Sequence, residues 1–119
     1  MNTRYKSIAA LIKEDNSLGT VFGSIQTMAG IVVSGDELIE QKKRISASPR
    51  DAESLERAYR AQDESIDFLG HMVGAFDDMV KCWHDCPESA LIPDKETLKD
   101  RKSMLAWAKD FWAFASKAP

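Results

Sequence analysis

Along most of this chain, apolar residues recur at intervals of three and four, the spacing that keeps one side of an α-helix hydrophobic. Few Val-Thr-Ile runs alternate as a half-buried strand would, so helices are the expectation throughout. Tyr5, Ile8 and Ile12 mark a first helix over about Thr3 to Lys13, ended by the polar run Glu14-Asp15-Asn16-Ser17. A second begins near Ser17 or Leu18, with Leu18, Phe22, Ile25, Ala29 and Val32 as its apolar stripe. Ser34-Gly-Asp-Glu37 has the form of a capping box, so a kink is expected at Gly35 before the helix continues through Ile45.

Ser48-Pro49-Arg50-Asp51 supplies an N-cap, a proline at the first helical position and an early carboxylate, the start of a third helix. Pro87 disfavours helical geometry at Cys86, so this helix should span about 50–86 and reach roughly 55 Å at 1.5 Å per residue. A rod of that length must protrude, bend at Gly70 or Gly74, or pair with another copy. A fourth helix opens around Pro93-Asp94 and runs to about Ser116. The expected architecture is an all-α bundle of four to five helices with one long helix, forming a single domain over residues 1–119.

Placed at about 100° per residue, the long helix divides into two halves. Phe68, Leu69, Met72, Val73, Ala75, Phe76, Met79, Val80, Cys82 and Trp83 fill one and are expected in the core. Asp67, Gly70, His71, Gly74, Asp77, Asp78, Lys81, His84 and Asp85 fill the other. His71 and His84 are thirteen residues apart, about 20 Å along the axis, too far to share a metal ion. Cys82 and Cys86 lack a second cysteine pair for a zinc site and read as structural thiols. Gly70 and Gly74 each cost about 1 kcal/mol of helix propensity, so the polar half carries a notch. That notch either admits a partner or seats the second helix, whose own small stripe is Gly19, Gly23, Thr27 and Gly30.

On the fourth helix Met104, Trp107, Phe111 and Phe114 form an aromatic ridge, broadened by Leu105, Ala108, Trp112 and Ala115. The ridge either closes the bundle or meets a second protein, where Trp and Phe are common anchors. With the overlong third helix, it raises the expectation of a homodimer.

Composition narrows the partners. Sixteen basic against nineteen acidic side chains leave a net charge of −3, which offers no attraction for nucleic acid or an anionic membrane and favours a basic protein surface. Lys42-Lys43-Arg44 with Arg50, Arg57 and Arg60 form a basic band, interleaved with Asp51, Glu53 and Glu56 as on a solvated turn. The uncharged run from Ser17 to Gly35 is long enough to span a bilayer, yet it is diluted by Ser, Thr and Gln and lacks a flanking basic cluster. A cytoplasmic protein with reduced cysteines and no membrane association is expected.

No phosphate-binding Gly-rich loop, dinucleotide fingerprint or nucleophile elbow is present. One pairing of carboxylates has chemical meaning: Glu37-Leu-Ile-Glu40, followed after 23 residues by Glu64-Ser-Ile-Asp67. It is similar to the paired acidic helices of the all-α nucleotide pyrophosphatases of the MazG and dimeric dUTPase type. The resemblance covers some thirty residues and implies Mg²⁺ held by Glu37, Glu40, Glu64 and Asp67 for hydrolysis of a nucleoside triphosphate to monophosphate and pyrophosphate. Clustered carboxylates suit a hard cation that bridges phosphates. A hairpin turning near Ala47, however, leaves the two pairs about 15 Å out of register. The reading favoured by the whole chain is therefore a non-enzymatic interaction module without a cofactor, an adaptor or inhibitor of the kind common among accessory and phage-encoded regulators. Asp67, Gly70, His71, Gly74, Asp77, Asp78 and Lys81, with Trp107, Phe111 and Trp112, are its expected partner-binding residues.

Overall fold

The computed structural model describes residues 3–45, 48–84, 91 and 95–117. Among these there are five helices and no strand: α1 (Thr3–Glu14), α2 (Asn16–Arg44), α3 (Pro49–His84), α4 (Lys95–Lys99) and α5 (Arg101–Lys117). The chain measures 54 × 29 × 22 Å, its long dimension being that of the 36-residue α3.

Caps set the helix boundaries. Asp15, in extended geometry, accepts hydrogen bonds from the Ser17 and Leu18 amides and starts α2 directly after α1. Ser48 Oγ accepts from the Asp51 amide at 3.2 Å, as the Ser-Pro-Arg-Asp pattern predicts. Asp100 accepts from both the amide and the hydroxyl of Ser103, so the expected single fourth helix is divided into α4 and α5. These bonds hold the Asp100 carboxyl below the usual carboxylate range. Cys86, Pro87 and the Pro93-Asp94 start lie outside the described residues.

Two long helices organise the rest. α2 and α3 run side by side, and their register is pinned by Gln62 Nε2 donating to the Val32 carbonyl at 2.7 Å and by Lys42 Nζ donating to Ser54 Oγ at 2.5 Å. The kink expected at Gly35 is not a break: α2 is one helix from Asn16 to Arg44. Gly35 is glycine because the buried Gln62 carboxamide lies against it, where a Cβ would collide with Oε1. α1, α2, α3 and α5 bury Ile8, Leu18, Ile25, Val32, Leu69, Val73, Phe76, Val80, Met104 and Phe111 in one core. Each such side chain contributes about 1.5–3 kcal/mol when fully buried. Phe22 joins the helices, its ring 6.0 Å from Phe76 and 5.4 Å from Phe111, while Trp107 stacks on Phe111 at 5.0 Å.

The long helix protrudes at its start. No described residue in 48–61 is buried, and in the facing part of α2 only Ile39 is, so the two form a two-helix arm beyond the bundle. At its other end, His84 Nε2 lies 3.1 Å from Asp15 Oδ2 and ties α3 to the α1–α2 corner. Lys109 to Asp36 and Arg101 to Asp63 tie α5 to α2 and α3. By length and composition α2 is apolar enough to cross a membrane, with 22% of its apolar window buried. Its Thr20, Ser24 and Thr27 hydroxyls donate to the carbonyls four residues back.

Two measurements probe this frame. Gly35→Ala should lower stability by about 1–2 kcal/mol in denaturant unfolding, because displacing Gln62 breaks a buried hydrogen bond. Gly23→Ala, with nothing within 4 Å of the added methyl, should raise it by up to about 1 kcal/mol. Equal effects at the two sites would contradict the Gln62 contact.

The second concerns Asp15. The hydrogen bond with His84 lowers its pKa from the usual 3.8; burial opposes this, and the Leu18 and Ser17 amides lower it further. A carboxyl lowered on folding stabilises the protein fully above its unfolded pKa, and loses that contribution as pH falls through the folded value. Asp15→Asn retains a capping side chain but no charge. The Tm difference from wild type should therefore be present at neutral pH and fade through the acid limb; a difference independent of pH would refute the assignment.

Candidate functional site: the outer face of α3

The apolar half of α3 is wider than the core can cover. Ile66, Leu69, Val73, Phe76 and Val80, spaced by three and four, turn inward and are buried. A second series on the same half, Phe68, Met72, Ala75, Met79 and Cys82, is rotated away. Phe68 is 56% exposed, Ala75 and Cys82 are exposed, and Met72 and Met79 are partly buried against the core edge. Trp83 flanks this series at 59% exposure. The expectation that Phe68, Ala75, Cys82 and Trp83 lie in the core is thus corrected, because α2 and α5 both pack on the inner series and no described element covers these four.

The polar half is also less uniform than its composition suggests. Asp67, Gly70, His71, Gly74, Ala75 and Asp78 line an open groove of about 420 Å³ whose far wall is Leu98 of α4. Gly70 and Gly74 therefore face α4 and not α2: a Cβ on Gly70 would meet the Leu98 carbonyl at 3.8 Å, and one on Gly74 the Leu98 side chain at 3.9 Å, ordinary van der Waals distances. His71 Nδ1 lies 2.8 Å from the Asp67 carbonyl, which orients the imidazole over the groove rim. Lys81 is half-buried farther along.

Asp77 leaves this acidic face. It is 6% exposed, and its Oδ1 accepts the Leu91 amide at 2.8 Å, while the Leu91 carbonyl accepts Trp107 Nε1 at 2.8 Å. Leu91 is thereby held between α3 and α5. Asp77 is structural, since a buried carboxylate needs such a donor.

The aromatic ridge divides likewise. Trp107, at 8% exposure, and Phe111 are core residues and cannot meet a partner. Trp112 is 38% exposed and lays its ring on Gly30, where a Cβ would come within 3.0 Å. Together they line a shallow groove with Gly23, Thr27, Ile31 and Ala115.

The carboxylates of the pyrophosphatase resemblance stay apart. With Val32 level with Gln62 and Lys42 level with Ser54, Glu40 stands level with about Leu55, some nine residues or ~13 Å short of Glu64. Glu40 bonds Lys43 on its own helix at 3.3 Å. Among the described residues no three His, Cys, Asp or Glu side chains converge as a metal site would require. Compared with family models, curated proteins and solved structures, the chain matches none of them.

Sequence reasoning missed the exposure of Phe68, Ala75, Cys82 and Trp83. The signal was present: two parallel series, each spaced by three and four, where one suffices for a core face. As a check on this geometry, Gly70→Ala and Gly74→Ala should each stabilise the protein by up to about 1 kcal/mol, whereas Asp77→Ala should cost about 1–3 kcal/mol by stranding the buried Leu91 amide. Destabilisation by the two glycine substitutions, or a neutral Asp77→Ala, measured by urea unfolding, would contradict these placements.

Proposed function

We propose that this chain is a non-enzymatic protein-interaction module, an adaptor or inhibitor, that presents the acidic groove of α3 to a basic surface on another protein. The observation that carries the reading is the groove itself. Asp67 and Asp78 stand exposed on its rim, His71 lies between them, and two glycines leave its floor low beside the exposed Phe68. A basic side chain entering there would meet carboxylates in a partly enclosed setting, where charge complementarity raises association rate and selectivity. Gly70 and Gly74 give a partner's backbone room to approach.

The residues that act are Asp67, Gly70, His71, Gly74 and Asp78, with Lys81 at one end and Trp112 on a separate face. No step of bond making or breaking enters this account, and no cofactor is needed for it. With the partner purified from the native host, Asp67→Lys and Asp78→Lys together should weaken binding at least about tenfold and flatten its salt dependence. Unchanged affinity and salt slope would overturn the groove as the binding surface. In the same preparations nucleoside triphosphates with Mg²⁺ should release no pyrophosphate; turnover abolished by Glu64→Gln would install the enzyme reading instead.

A further inference from the structure

We infer that the outer series of α3 is a self-association seam, and that a second copy of this chain packs along it as an antiparallel helix pair. Ser65, Phe68, Met72, Ala75, Met79 and Cys82 follow one another by three, four, three, four and three residues, the a/d spacing of a coiled coil. The buried series beside it has the same period, so α3 carries one seam for its own core and a second that the described protomer covers only in part, Phe68, Ala75 and Cys82 being exposed and Met72 and Met79 partly buried at the core edge. From Ser65 to Cys82 the open seam runs about 25 Å along the axis. Nothing on it is ionised in the way an exposed helix face normally is, and Phe68 and Trp83, each more than half exposed, give it large apolar side chains.

The occupant is identified by self-complementarity. About a two-fold axis between Val73 and Gly74, Phe68 faces Met79 of the second copy, Met72 faces Ala75, and Ser65 faces Cys82. Phe68 meets the flexible Met79 and Met72 meets the small Ala75, with two small side chains at the Ser65 and Cys82 level, and the sulfur of Met79 meets the ring of Phe68, a favourable pairing. On the flank, the same axis brings His71 opposite Asp78 of the second copy, a pair of complementary chemistry. A parallel pair would instead place Phe68 on Phe68 and Asp78 beside Asp78. The Gly70 and Gly74 floor of the groove lies well around α3 from this seam, so pairing leaves it open toward Leu98, while Ala75, His71 and Asp78 on the near rim are shared between groove and seam.

Light scattering of the full chain at about 100 µM, where even a micromolar dimer is nearly all associated, should report about twice the 13.3 kDa chain mass. Phe68→Glu and, separately, Ala75→Glu should each raise the dimer dissociation constant about a hundredfold or more by burying an unpaired charge in the seam. Circular dichroism and melting of the dilute protein should stay unchanged, since both positions are exposed in the protomer. Direction is read by cross-linking: in a Cys86→Ser background, Ser65→Cys treated with diamide, which takes up the electrons and protons of two thiols, should give a covalent dimer through Cys82, and the background alone should not. A wild-type monomer, a dimer indifferent to both glutamates but broken by Trp112→Ala, or a covalent dimer from Cys82 alone would each overturn the proposal. Asp67→Lys, which lies outside the seam and its flank pair, failing to weaken partner binding at unchanged mass would overturn only the groove reading.

Discussion

Everything in this fold depends on the register between α2 and α3. The Gln62 carboxamide reaches across to the Val32 carbonyl in a buried setting, and Gly35 is the vacancy that lets it do so. A polar side chain there is costly unless bonded, so sliding either helix by one residue would forfeit the bond and turn apolar side chains out of the core. With the pair locked, Phe22 comes level with Phe76, α5 fits across both helices with Phe111 against Phe22, and Asp15 of the α1–α2 corner meets His84. The same lock separates Glu40 from Glu64 and sends the start of α3 out as an arm.

A second consequence is the division of α3 into three sectors. Ile66, Leu69, Val73, Phe76 and Val80 belong to the core, Gly70 and Gly74 to the groove opposite Leu98, and Phe68, Met72, Ala75 and Met79 to an outer edge, where Met72 and Met79 pack partly against the core and Ala75 also lines the groove. A helix packed on one side by its neighbours buries a stripe little wider than a quarter to a third of its circumference. When apolar residues fill half of it, the surplus stays at the surface of the protomer. Asp77 shows the converse economy: an acidic residue at the border of two sectors is drawn inside because the Leu91 amide needs an acceptor there.

Much of this was legible in the chain. The helices, the Ser48-Pro49 start, the one long helix and the out-of-register carboxylates follow from period, caps and rise per residue, all local quantities. The aromatic ridge of α5 was legible as a ridge; that Trp107 and Phe111 are core while Trp112 leans on Gly30 depends on the angle at which α5 crosses α2, which no local rule supplies. Gly35 looked like a kink because capping-box residues surround it, yet its cause is a side chain twenty-seven positions away. The break at Asp100 was missed although Asp-x-x-Ser is a capping pattern. For Asp77 and Cys82 the helical wheel placed both near a sector boundary, and packing decided each against its residue type.

The central claim is that α3 buries its inner series and leaves its outer series to a second copy. Hydroxyl-radical footprinting across a dilution series tests it most directly, since aromatic and thioether side chains report their own exposure. In dilute protein Phe68, Met79 and Trp83 should be labelled while Phe76 and Phe111 stay protected, and concentrating the protein should protect Phe68 and Met79 with no change at Phe76. Labelling of Phe68 and Phe76 to the same extent, or a Phe68 equally reactive at every concentration, would contradict it.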